Sequence, residues 1–254
     1  MWDNFSLSVE STLLNNEGIR NMINRISGVL LIVILFSMTF SQEVAIDEKF
    51  YPLTSIEKLE LINVNGAIVE HQGKKGLRVT SIDELFATED GETMVLLPEI
   101  NFTNGIIELE ISGEPAPGAI AQARGFVGIA FRVDREKNDH YECFYLRPSN
   151  GRADNQMQRN HSIQYVSHPE YPWYRLREEA PEMYESYVDL VPGNWTKIKI
   201  EVLGSTAKLY VHDSEQPNLI VNDLKHGESE GTIALWLHSS TLAHFRNLVI
   251  RSSE

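Results

Sequence analysis

From Phe50 onward the sequence runs in short stretches rich in Val, Ile, Phe and Tyr, each bounded by Gly, Asn, Asp or Pro. Helical spacing of apolar residues is nearly absent, so the dominant period is two. Gly105–Ser112, Gly-Ile-Ile-Glu-Leu-Glu-Ile-Ser, shows it plainly: apolar and acidic residues alternate, so one face is buried and the other wetted. Ala67–His71 and Gly76–Thr80 form a hairpin pair across Gln72–Lys75. Gly125–Val133 and His140–Arg147 are joined by the charged turn Asp134–Asp139, and Trp195–Val202 and Ala207–Val211 by Leu203–Thr206. Thr93–Leu97, Gly231–Trp236 and His244–Ile250 complete the series. About ten to twelve such strands predict an all-β fold, a sandwich of two antiparallel sheets. Trp195 and Trp236 fall in the alternating pattern and are expected in the core. Short helices are expected over Ile56–Leu61 and Arg175–Tyr184. No repeat or linker interrupts the pattern, which makes residues 42–254 one domain.

The N-terminus reads differently. Arg20 and Arg25 precede the apolar run Gly28–Phe36, which continues to Phe40. At about a dozen apolar residues it is short for a membrane span and right for a secretory signal. Thr39 and Ser41 supply small residues at −3 and −1 for cleavage before Gln42, and Met22 opens a better-proportioned signal than Met1. Residues 1–41 are therefore expected to be an N-terminal extension and signal peptide. The domain would be secreted or periplasmic, with no stable membrane insertion after cleavage; the alternative is an uncleaved anchor. A net charge of −14 argues against nucleic acid as a partner. The single cysteine, Cys143, excludes an intrachain disulfide and alternates with Tyr141 and Tyr145 like a buried, inert thiol.

Between strand-like segments lies a long polar and aromatic stretch, His140–Tyr187, holding Arg147, Asn150, Arg152, Asp154, Asn155, His161, Gln164, Tyr165, His168, Tyr171, Trp173, Tyr174 and Arg175. Folding alone has little use for so many polar and ring-bearing side chains in one connection, and long structured loops on a rigid scaffold carry function. Rings offer flat apolar faces to a sugar, while Asn150, Asp154, Asn155 and Gln164 suit its hydroxyls. The expected partner is an oligo- or polysaccharide.

Gly193–Val202, Ala207–Val211, Gly231–Trp236 and Ala243–Ile250 together resemble a concanavalin A-like jelly roll. Laminin-G-like modules and secreted domains of the 3-keto-disaccharide hydrolase type are similar to it. The resemblance covers most of residues 47–251 and implies the fold more specifically than the activity, since lectins, hydrolases and lyases share that scaffold. Residues 140–187 are expected to cap the concave sheet of such a jelly roll and form a carbohydrate cleft.

Three chemistries are open. Two flanking carboxylates would mark a glycosidase. The nearest pairs, Glu108 with Glu110 and Asp83-Glu84 with Glu89-Asp90, do not match the acidic triplet of jelly-roll glucanases. Proton abstraction beside a ketone needs only a base and a charge stabiliser: His161, Tyr165 or His168 for the first, Arg147, Arg152 or Arg175 for the second. Gln164 and Tyr165 would face opposite ways on a strand. Simple binding is the third, with Tyr171, Trp173 and Tyr174 as a platform that Pro172 holds out of regular pairing. No cofactor is expected, beyond structural calcium held by Asp134 and Asp139, whose turn lacks a calcium-loop pattern. His161 and His168 are spaced poorly for zinc, and Gly125 and Gly128 lack the lysine of a phosphate loop.

Overall fold

The structure, a computed structural model, describes residues 46–82 and 91–253. The expected signal peptide and the acidic pairs Asp83-Glu84 and Glu89-Asp90 lie outside the described residues.

Two antiparallel sheets stack face to face. The first takes β1 (Ile46–Tyr51), β3 (Val64–His71), β4 (Lys74–Ser81), β6 (Asn104–Pro115), β11 (Thr196–Leu203), β12 (Thr206–Val211), β13 (Leu219–Val221) and β15 (Thr241–Ser253). Their order is β13-β12-β11-β6-β15-β4-β3, with β1 paired to the far half of β15. The second takes β2 (Glu60–Ile62), β5 (Met94–Phe102), β7 (Val127–Val133), β8 (Tyr141–Leu146), β9 (Ile163–His168), β10 (Glu185–Ser186) and β14 (Gly231–Leu237), in the order β10-β9-β8-β7-β14-β5-β2. Two short helices, α1 (Gln156–Asn160) and α2 (Trp173–Glu179), lie on either side of β9 in sequence. The stretch 140–187 thus supplies three strands of the second sheet as well as the pieces beside them.

Alternation builds the core. Ile107, Leu109 and Ile111 of β6 are buried, while Glu108 and Glu110 between them reach Arg251 and Lys74 on the outer face. Across the sandwich, rings follow one another from strand to strand: Phe102 to Phe131 (centroids 6.5 Å), Phe131 to Phe144 (6.2 Å), Phe144 to Tyr165 (5.6 Å) and Tyr165 to Tyr184 (5.6 Å). Such pairs add about 0.5–1.5 kcal/mol each beyond their buried area. β7 and β8 are buried at every position, so their second face is also covered. The hairpin β3–β4 turns through Gln72 and Gly73, both at positive φ (50° and 73°), which matches the twist of the flanking strands.

Three expectations are corrected. Ile56–Leu61 is a turn leading into β2, whose Glu60–Ile62 pairs with β5; six residues cannot sustain a helix against a strand partner. The second helix starts two residues early, after Pro172, and ends at Ala180, where Pro181 disfavours the helical backbone of the residue before it. Trp195 sits half-buried on the outer face of the first sheet, its Nε1 donating to the His71 carbonyl at 3.1 Å, beside the stacked rings of His71 and His244. Trp236 is buried as expected.

Candidate functional site

A cleft of about 620 Å³ opens over the outer face of the second sheet. Its floor follows from strand register. On β8, Tyr141, Cys143 and Tyr145 share one face, opposite His168, Val166 and Gln164 of β9. On the other side Tyr145 faces Gly128 of β7, which in turn faces Trp236 of β14. Because Gly128 has no side chain, Tyr145 and Trp236 meet across it with ring centroids 5.1 Å apart. A Cβ there would collide with the Phe144 carbonyl and the Tyr145 backbone. Phe126 and His238 extend the floor, their centroids 5.1 Å apart.

Polar groups converge at one end around His161, which follows α1 as its C-cap. Its carbonyl accepts from Arg147 Nη1 and from Asn150 Nδ2, both at 3.1 Å. Its Nε2 lies 3.2 Å from Glu185 Oε1. Glu185 also receives Arg177 through two bonds (3.0 and 2.6 Å) and lies 3.6 Å from Arg147 Nη1. Arg147, only 5% exposed, donates further to Tyr145 Oη (2.8 Å) and Gln164 Oε1 (3.1 Å). Burial lowers the pKa of His161, with Arg147 and Arg177 adding to the effect and Glu185 opposing it. With Nε2–H donating to the carboxylate, Nδ1 is the proton-free nitrogen.

His168 lies along the same cleft, stacked on Tyr141 (5.1 Å, 14°), and burial pushes its pKa down to about 4. Tyr141 accepts from Trp236 Nε1 (3.1 Å) and donates to Glu92 Oε2 (2.6 Å). The other rim is α2. Trp173 and Tyr174 are 45% and 62% exposed and edge-to-face at 5.8 Å. Arg177, one turn on, lies 4.9 Å over the Trp173 ring.

Of the residues singled out in sequence, the cleft brings together Arg147, Asn150, His161, His168, Trp173 and Tyr174, with Gln164 just behind Arg147. The others lie elsewhere. Tyr165 points into the sandwich, as strand alternation with Gln164 requires, and donates to the buried Glu142 at 2.6 Å. Arg152 forms a two-bond pair with Asp189 in solvent, and Arg175 bonds Glu179 while lying over Tyr171. Asn155 caps α1, and Asp154 is exposed outside the cleft lining. Asp134 accepts from the Glu136 amide and Asp139 pairs with His140; among the described residues no three acidic, His or Cys groups gather as for a metal. Cys143 is fully buried, which raises its thiol pKa well above the ordinary value. Arg124, Phe126, Tyr145, Arg177, Trp236 and His238 line the cleft without having been singled out for it. Period two marks Tyr145 as facing the same way as Arg147, and helical period marks Arg177 as facing with Trp173. Glu185 carries no local signal, because only its register with Gln164 brings it in.

The sequence pattern of the 3-keto-alpha-glucoside-1,2-lyase-like domain matches residues 56–251. The chain belongs to that family. Its architecture is the concanavalin A-like sandwich that the last strands resemble. Among solved structures, a carbohydrate-binding module (CBM66) from Bacillus subtilis aligns with TM-score 0.53 and 15% identity over 76% of this chain and 95% of that one. A galectin-like protein of unknown function from Bacillus subtilis follows with TM-score 0.49 and 12% identity over 83% and 100% of the two chains. A lectin from Bauhinia forficata in complex with GalNAc gives 0.49 and 8% over 82% and 99%. At 15% identity the likeness to the first is one of fold. A comparison with curated protein sequences finds no match. The matched stretch of this family member contains every residue that lines the cleft.

Proposed function

We propose that this member of the 3-keto-alpha-glucoside-1,2-lyase-like family binds an oligosaccharide in the cleft and cleaves it by proton abstraction. One observation carries the reading: no Asp or Glu is among the cleft-lining residues described, while His161 is fixed at both its carbonyl and its ring. Among the described residues, two-carboxylate hydrolysis therefore has no acid pair lining the cleft to work with. A lowered imidazole pKa keeps His161 neutral at pH 7 and ready to take a proton.

In a 3-keto glycoside the ketone acidifies the hydrogen on C2. Nδ1 of His161 takes that proton, and the electron pair passes into an enolate. The enolate expels the glycosidic oxygen from C1, forming a C1–C2 double bond, and the leaving oxygen takes up a proton. Arg147, buried beside His161, stabilises the developing negative charge. Trp173 and Tyr174 stack on the sugar at the mouth. The N-terminal sequence supports action outside the cytoplasm, as a secreted or periplasmic protein.

A second reading, a lectin-like module without catalysis, is favoured by the exposure of those same two rings. Mass spectrometry of the products from a 3-keto disaccharide separates the two. Proton abstraction predicts an unsaturated keto sugar, or its hydrate, lost in His161→Ala. An intact disaccharide that still binds would leave only the lectin.

A further inference from the structure

The cleft is electropositive in a strongly acidic protein. Three arginines line it, Arg124, Arg147 and Arg177, with no lining carboxylate among the described residues, against a net charge of −14 for the whole chain. Among the described residues Glu185 is the one carboxylate in contact with any of the three, and Arg147 and Arg177 share it. Arg124 has no acidic partner among the described residues. Its Nη1 donates to the carbonyls of Ala121 (2.8 Å) and Ala123 (2.9 Å), which fixes the guanidinium and leaves Nε and Nη2 without a partner among the described residues. The Arg124 carbonyl accepts from the Ser149 amide at 3.1 Å, next to Asn150, whose amide group holds His161. A fixed cation thus stands beside the turn that positions the proposed base.

Proton abstraction from a neutral sugar uses Arg147 alone as stabiliser, so Arg124 and the excess positive charge are unexplained by it. We infer that the cleft takes an acidic oligosaccharide, one bearing a carboxylate or sulfate group, and that Arg124 receives that group. This rests on the reading of the cleft as a sugar site and narrows its substrate class. Guanidinium forks match both oxyanions, and a concave site of one sign concentrates ligands of the other.

The test is calorimetric titration of the full chain with neutral, carboxylated and sulfated oligosaccharides of matched length, at low and at physiological salt, for the wild type and Arg124→Gln. The inference expects the acidic ligands to bind about tenfold tighter than the neutral one at low salt, as one charge-assisted bond would give. That margin should shrink with salt and fall to about one in Arg124→Gln. The stronger of the two acidic arms identifies the group. Equal affinities for neutral and acidic ligands in the wild type would overturn the inference while leaving the sugar cleft standing. Binding of none of them would overturn both.

Discussion

His161 stands between opposed charges. Burial and the guanidiniums of Arg147 and Arg177 lower its pKa, and Glu185 raises it. Removing the carboxylate charge without changing its shape should therefore lower that pKa further. In Glu185→Gln, NMR titration of the imidazole is expected to show the drop, and an unchanged or raised value would refute the charge assignment. Truncation to alanine is a different experiment, because the buried Arg147 and the half-buried Arg177 then lose their shared partner. Breaking such a pair costs about 3–5 kcal/mol, readable as a lower urea midpoint. At this scale the sequence shows residue types better than directions. His161 and Arg147 were legible as candidates from their chemistry. Tyr165 was equally plausible until its strand placed the phenol on Glu142, in the core. Arg152 and Arg175 pair locally with Asp189 and Glu179, carboxylates that spacing alone does not assign.

At the scale of elements, α2 sets the mouth of the cleft. Residues one turn apart share a face, so Trp173 and Arg177 turn to the cleft while Arg175 turns to Glu179. Trp173→Ala should weaken oligosaccharide binding about 5- to 30-fold, the equivalent of 1–2 kcal/mol of ring contact. Arg175→Ala should stay within about twofold. Equal losses in both variants, measured by titration, would mean the helix acts only as packing. The long strands were legible because alternation over many residues is a local signal. β2, β10 and β13 were not, having two or three residues each and being defined by their partners Met94–Leu96, Ile163–Gln164 and Ala207–Leu209, and neither were the six-residue β1 and β9. Glu185 entered the site through one of those strands, which is why no motif announced it.

For the whole molecule, burial of neutral histidines links stability to pH. His168 and His244 are both pushed down to about 4 from the ordinary 6.5. The unfolded chain then binds more protons than the native one between those values, so stability rises with pH across that window. It is fully present above about pH 6.5 and is lost progressively as pH falls through about 4. Urea midpoints measured between pH 7 and 4.5 should drop accordingly, and less steeply in His244→Asn; a flat profile would contradict the account.

The proposed function turns on proton abstraction by His161, in a cleft with no Asp or Glu among its described lining residues. Proton NMR of a 3-keto disaccharide in deuterium oxide follows the C2 hydrogen itself. The wild type is expected to cleave the sugar or exchange that hydrogen for deuterium, and a folded His161→Ala variant to do so at least about a hundredfold more slowly. Undiminished exchange or cleavage in the variant would contradict it.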